Sequence, residues 1–131
     1  MAALVIFSVD VGRLAAFYAR VLALESSVEE SGDIRLRSEQ EELLIHSVPP
    51  RIAQTIEVRV PPEPREKVAL KPVFNVEALD VALDEVMKNG GIVTGNSFTF
   101  NGLTRHDVVD PDGSIVQLRS PELRMTTDSR R

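Results

Sequence analysis

Val5-Ile6-Phe7-Ser8-Val9-Asp10 returns 67 residues downstream as Pro72-Val73-Phe74-Asn75-Val76-Glu77, with both phenylalanines and both valines in register. Each copy is an apolar run rich in β-branched and aromatic residues, which predicts a buried strand, and each closes on an acidic residue that can open a helix. Behind the first copy, Val11, Leu14, Ala15, Tyr18, Val21 and Leu22 recur at three- and four-residue steps. This places them on one face of a helix running from Val11 to about Leu24. Behind the second copy the pattern predicts a helix from about Ala78 to Asn89, stopped by Gly90-Gly91. The helices match best at a displacement of 68, pairing Val11 with Leu79 and Ala15 with Leu83, so the first strand-to-helix turn is read as one residue shorter.

Three short strands are predicted after the first helix, at about Ser26 to Glu30, Asp33 to Arg37 and Glu42 to Val48. After the second come Ile92 to Thr94, Leu103 to Val109 and, beyond the Asp110-Pro111-Asp112-Gly113 turn, Ser114 to Arg119. Pro49-Pro50 and Pro61-Pro62-Glu63-Pro64 interrupt regular structure, so residues 50–69 read as a connector, with Gln54 to Val60 as an edge strand or an arm toward a partner. The expected organisation is α+β: one βαβββ module over about 1–49, the connector, a second module over about 70–120, and a polar tail over 121–131.

Composition narrows the chemistry. With no cysteine among 131 residues, disulfide frameworks, thiolate metal sites and cysteine nucleophiles are excluded. Two histidines, His46 and His106, leave room for one or two imidazoles plus carboxylates at most. A formal charge of −5 argues against nucleic acid as a partner. The apolar run Ala2 to Val9 lacks a basic flank and meets Asp10, so it does not read as a signal peptide, and no stretch approaches the ~20 apolar residues of a membrane span. The expectation is a cytoplasmic protein with no membrane partner.

The order and duplication of these motifs resemble the vicinal oxygen chelate superfamily, the fold of glyoxalase I, extradiol dioxygenases, fosfomycin-resistance proteins and bleomycin-resistance proteins. The likeness is carried by Phe7-Ser8-Val9-Asp10-Val11 leading to Ala16-Phe17-Tyr18, by Phe74-Asn75-Val76 with Gly90-Gly91, and by Asp110-Pro111-Asp112-Gly113-Ser114-Ile115-Val116-Gln117-Leu118. It implies two βαβββ modules forming a curved mixed sheet around a shared cavity, assembled as a homodimer. It also implies a divalent metal held by His or Glu on the first and last strands of each module. Here those positions fall on Ala3 or Leu4, on Ile45 or, one residue along, His46, on Lys71 and on Gln117. Alanine and leucine have no donor atom, and a lysine ammonium repels a cation. The expected cofactor is therefore none.

Other residues carry two readings each. His106, beside Arg105, is a cavity-facing acid or base near an anion-holding guanidinium, or part of a solvent-facing edge. Phe98 and Phe100 interrupt a polar loop, Asn96 to Gly102, as a flap over a cavity mouth or as rings packed beneath it. Lys71 in a pocket suits an anionic or carbonyl-bearing ligand. The candidate ligand-binding set is thus His46, Lys71, Gln117, Arg105, His106, Phe98 and Phe100, with no catalytic residue assigned. The expected function is a metal-free small-molecule-binding protein of the glyoxalase/bleomycin-resistance type. Two alternatives stand beside it: a divergent metal-dependent lyase, isomerase or dioxygenase, and a non-catalytic dimerisation or regulatory module.

Overall fold

The computed structural model describes residues 2–57, 60–66 and 68–121. The first module comprises β1 (Ala2–Ser8), α1 (Val11–Val21), β2 (Glu25–Val28), β3 (Ile34–Arg37) and β4 (Glu41–Ser47). A four-residue helix, α2 (Pro50–Ala53), begins the connector. The second module comprises β5 (Val73–Asn75), α3 (Leu79–Lys88), β6 (Ile92–Phe100), β7 (Leu103–Val109) and β8 (Ile115–Pro121). Each forms a four-stranded mixed sheet, in the orders β1-β4-β3-β2 and β5-β8-β7-β6, whose first and last strands pair in parallel. The expected α+β class with two βαβββ modules is the architecture found.

The helices form where the apolar spacing puts them. Asp10 caps α1 by accepting from the Arg13 amide, and Leu14, Ala15, Phe17, Tyr18 and Val21 make its buried face. The helix is shorter than its periodicity suggests: it closes at Leu22, Ala23 takes a left-handed φ of 54°, and Leu24 packs back into the core. α3 lies on the second sheet, and α1 packs on α3, on its own sheet and, through Tyr18, against Phe74 of β5. Both helices are therefore sandwiched between the two sheets, in one core that draws on both modules. Among the described residues the strands of the two sheets meet through side chains, as where Glu41 of β4 accepts from the Asn75 amide of β5.

Polar ties reinforce this contact. Tyr18 donates its hydroxyl to Asp110 Oδ2 at 2.6 Å, while Ser8 Oγ and Arg13 Nη2 donate to the two oxygens of Asp112 at 2.7 and 3.1 Å. The Asp-Pro-Asp-Gly turn thus shapes the β7–β8 connection and also fastens module one to module two.

Three local expectations are corrected. Asn96 to Gly102 is not a loop, because β6 continues to Phe100 and pairs with β7 across an Asn101-Gly102 turn in which both residues have positive φ. The strand predicted over the second copy of the repeat contracts to three residues: Pro72 lends β8 only its carbonyl, accepting from the Gln117 amide. Gln54 to Val60 is not a strand: Gln54 and Thr55 form the turn that ends α2 and Ile56 and Glu57 are irregular, while Val58 and Arg59 lie outside the described residues. β8 runs past its expected end at Arg119 to Pro121, the first residue of the expected tail, whose remainder, 122–131, also lies outside the described residues. No described helix is long and apolar enough to cross a membrane.

Candidate functional site

Strand pairing decides which side chains share a face, since alternate residues point to opposite sides. Val5 pairs with Leu44 and Phe7 with His46; Val73 pairs with Gln117 and Asn75 with Arg119. Leu43, Ile45, Phe74 and Leu118 face the helices. The modules therefore superpose at a single displacement of 68 along the whole opening unit, Val5 on Val73 and the cap Asp10 on Ala78, with no residue missing from the turn. The match of Phe7 with Phe74 is a coincidence of type: Phe74 is in the core, while Phe7 is 60% exposed on the far side of its sheet. The family's metal positions accordingly fall on Ala3, Leu44, Lys71 and Gln117, rather than on Leu4 or Ile45. Two aliphatic side chains, an ammonium and an amide are not a divalent-metal donor set, and no three His, Asp or Glu side chains converge elsewhere among the described residues.

The outer face of the second sheet holds a polar network instead. At its centre is Asp107, buried, with Oδ2 accepting from Lys71 Nζ at 2.7 Å and Asn96 Nδ2 at 2.8 Å, and Oδ1 accepting from Gln117 Nε2 at 3.3 Å. Arg105 Nη1 donates to Gln117 Oε1 at 3.2 Å, and its guanidinium carbon lies 5.9 Å from the centre of the Phe100 ring. Burial pushes the Asp107 carboxyl up, but hydrogen bonds from Lys71, Asn96 and Gln117, with the Lys71 charge, hold it below the ordinary carboxylate value. The carboxylate is thus fixed in its charged form. Phe98 pairs with Arg105 across β6 and β7, and both phenylalanines are exposed beside the network. Of the expected residues, the fold brings together Lys71, Gln117, Arg105, Phe98 and Phe100.

It does not bring the histidines to that group. His106 lies on the opposite face from Arg105, across from Leu118, and its Nε2 donates to the Thr94 carbonyl. It secures the bulge in β6 that carries Asn96 to Asp107. His46 does reach an outer face, but that of module one. Its Nδ1 bonds Asp33 Oδ2 at 2.5 Å, and its ring meets the Phe7 ring edge-on at 5.3 Å. Asp33 is held below its ordinary pKa by that bond first and by the Ser47 amide, against the opposing effect of burial. This pair fixes the imidazole through Nδ1 on a side chain that stays 42% exposed.

Asp107, Asn96 and Asp33 were missed by the sequence reading. For Asp107 a signal existed: the turn at Asp110 to Gly113 sets the β7–β8 register, and counting back from it puts Asp107 opposite Gln117. Nothing comparable in the sequence marks Asn96, which reaches Asp107 only because β6 bulges.

Because the helices fill the space between the sheets, the two outer faces point away from one another within one chain. Val5 and Phe7 on one, and Val73, Phe98 and Phe100 on the other, stay exposed. An open cleft of about 1010 Å³ also runs between the modules, past Arg20, Glu41, Glu77 and Arg119. There burial raises the Glu41 pKa, opposed by the Asn75 amide and the Arg119 charge.

No family model matches the chain, and no curated protein matches it in sequence. Solved structures do. A glyoxalase/bleomycin resistance protein from Albidiferax ferrireducens T118 superposes with a TM-score of 0.66 at 17% identity, covering 92% of this chain and 97% of that one. A glyoxalase/bleomycin resistance protein/dioxygenase family enzyme from Burkholderia phytofirmans PsJN gives 0.68 at 12% identity, with coverage of 91% and 96%. The fosfomycin resistance protein FosX from Mesorhizobium loti gives 0.64 at 13% identity, with coverage of 94% and 92%. At such identities the likeness speaks for architecture and not for activity. With its duplicated βαβββ modules and these superpositions, the chain has the fold of the vicinal oxygen chelate superfamily.

Proposed function

We propose that this protein binds a small organic molecule without a metal, on the outer face of module two, and that a second copy of the chain completes the pocket by laying its module one over that face. The observation that carries the reading is the network of Lys71, Asp107, Gln117 and Arg105 at and beside two of the family's metal positions, with Phe98 and Phe100 exposed next to it. A small set of fixed polar groups beside aromatic surface is the composition of a ligand site. The pairing follows from the exposed apolar residues on both outer faces, which a dimer would remove from water. It would also bring the partner's module one, with its Asp33–His46 pair, toward the network.

Two measurements test this. Light scattering on the purified protein should give twice the 14.5 kDa chain mass, and Phe7→Glu combined with Phe100→Glu should shift it to the single-chain mass without loss of helix signal. Elemental analysis of protein purified without added metal or chelator should find no stoichiometric divalent ion, and nickel, zinc, manganese or iron should leave the melting temperature unchanged. Stoichiometric metal with stabilisation would replace this proposal by the metal-dependent enzyme reading.

A second reading rests on Asp33 and His46. A carboxylate that anchors one nitrogen of a partly exposed imidazole is the arrangement of a general acid or base. In a dimer it would face a ligand held by the partner's cationic network, so a proton transfer is the activity to assay, with His46→Gln as the variant that removes it.

A further inference from the structure

Resting on the binding reading above, we infer that the ligand is a small organic carboxylate with an aromatic or flat apolar body, its anionic end at Arg105 and its body on Phe98 and Phe100.

The argument begins with charge. On the outer face of module two, Asp107 is the carboxylate, and its oxygens are already taken by Lys71, Asn96 and Gln117. Lys71 is therefore balanced and Arg105 is not. The Arg105 guanidinium has a hydrogen bond to a neutral amide oxygen, no carboxylate partner among the described residues, and a buried Nε without an acceptor. A half-buried cation without a counter-charge is a costly arrangement unless an anion completes it. The neighbouring cation, Arg119, donates Nε to Asn75 Oδ1 and has the Glu41 carboxylate within electrostatic reach, so its charge is answered where that of Arg105 is not.

Geometry then selects among anions. Arg105 pairs with Phe98 across the β6–β7 ladder and sits above the Phe100 ring, so the guanidinium plane is steadied by aromatic contact. A planar fork of donors suits a carboxylate, which it can grip with two parallel hydrogen bonds. Both rings are exposed on the same face, at 45% and 59%, giving a hydrophobic platform beside the charged end. A ligand matching both halves has one negative end and a flat apolar body. A cationic ligand would be repelled by Arg105 and would find Asp107 closed by three donors. Gln117, held between Asp107 and Arg105, orients the guanidinium and transmits no charge of its own.

Benzoate, phenylacetate and cinnamate, each against its neutral amide and its amine analogue, form the test panel, read by thermal shift and by titration calorimetry on the intact protein. The acids should raise the melting temperature, while the matched amides and amines should bind at least about tenfold more weakly. Their affinity should fall as sodium chloride is raised. Arg105→Met should abolish the preference for acids, whereas Arg105→Lys, keeping the charge but losing the fork, should retain part of it. Circular dichroism and the unliganded melting temperature show that each variant is folded. Equal binding of acids and amides, or stronger binding of amines, would overturn the carboxylate inference while leaving a small-molecule binder. Silence of the whole panel would overturn the carboxylate inference, and an equally silent broad neutral and cationic library would take the binding reading with it.

Discussion

Replacing Gly91 with alanine is expected to lower stability by about 3 kcal/mol, the upper part of the range for forcing extra volume into a close-packed core, and to depress the melting temperature by about 10 °C for a domain of this size. A β-carbon at Gly91 would lie 2.6 Å from Phe17 Cε1, 2.7 Å from the Val109 carbonyl oxygen and 2.9 Å from Val86 Cγ1. Phe17 and Val86 are fully buried side chains with no free space to enter, and the carbonyl belongs to β7, whose ladder fixes it. All three contacts would have to give way together. The site is where α1 of module one meets the α3–β6 corner of module two, so the substitution also pries the modules apart. Two neighbouring glycines isolate the cause. Gly90→Ala meets only Pro111 Cγ at 3.8 Å but must hold a φ of +88°, so its cost should be about 1–2 kcal/mol of backbone strain. Gly95→Ala, with nothing within 4 Å, should be close to neutral. Urea unfolding of the three variants measures this. Equal effects at 90 and 91 would mean that backbone conformation, not the approach of Phe17, is what the second glycine serves.

The architecture was legible because its signals are periodic and local. Helical spacing at Val11 to Val21, the glycines after α3 and the Asp-Pro-Asp-Gly turn each act through the backbone of a few residues, and all survive in the structure. What was lost concerns faces. In a strand, side-chain orientation has period two, so a displacement of 67 instead of 68 inverts every assignment even though it aligns more identical letters. Phe7 and Phe74 look equivalent in the sequence, yet burial separates them, because only one of the two neighbouring registers puts Ile6 and Phe74 against the helices. The same parity left Ile45 and His46 open as alternatives, and the register puts Leu44 at that position instead, with His46 two residues along on the same outer face. Phe98 and Phe100 alternate with polar residues as a strand must, but the polar letters around them suggested a loop; an outer face that carries a network tolerates such letters. The buried interior of that network, Asp107, came from a triplet whose charges read as solvent-facing. Its burial depends on Lys71 arriving from the residues ahead of β5 and Asn96 from a bulge, and neither is a local property of the sequence.

Asp110→Ala is expected to cost about 4 kcal/mol, because it strands three donors at once. Asp110 is fully buried. Its Oδ2 accepts from Tyr18, and its Oδ1 accepts from the amides of Asp112 and Ser114 at 2.9 Å each. Each buried donor left without a partner costs about 1–3 kcal/mol, and the Tyr18 bond is also one of the ties between modules. Asp110→Asn keeps an acceptor for the two amides and offers an amide to the tyrosine oxygen, so it should be much milder and also reveal what the charge contributes. Burial raises the Asp110 pKa, against the hydrogen bonds from Tyr18 and the Ser114 amide, so the folded chain holds this proton at a pH where the unfolded chain, with an ordinary Asp value near ~3.9, has released it. As pH falls from neutral through the raised folded value toward the unfolded one, the native state takes up a proton that the unfolded state does not, and the wild type gains stability relative to Asp110→Asn. Below that window the sign reverses for a different reason. Asp107 and Asp33 have lowered folded values, so the stability they contribute above the unfolded Asp value is lost as pH falls through their own. Unfolding free energies of wild type and Asp110→Asn measured from pH 7 down to 3 should therefore draw apart in favour of the wild type as pH falls toward the unfolded Asp value of ~3.9, before both decline. A constant difference between the two proteins over that range would mean that Asp110 carries the same charge folded and unfolded, and that the tyrosine bond outweighs its burial.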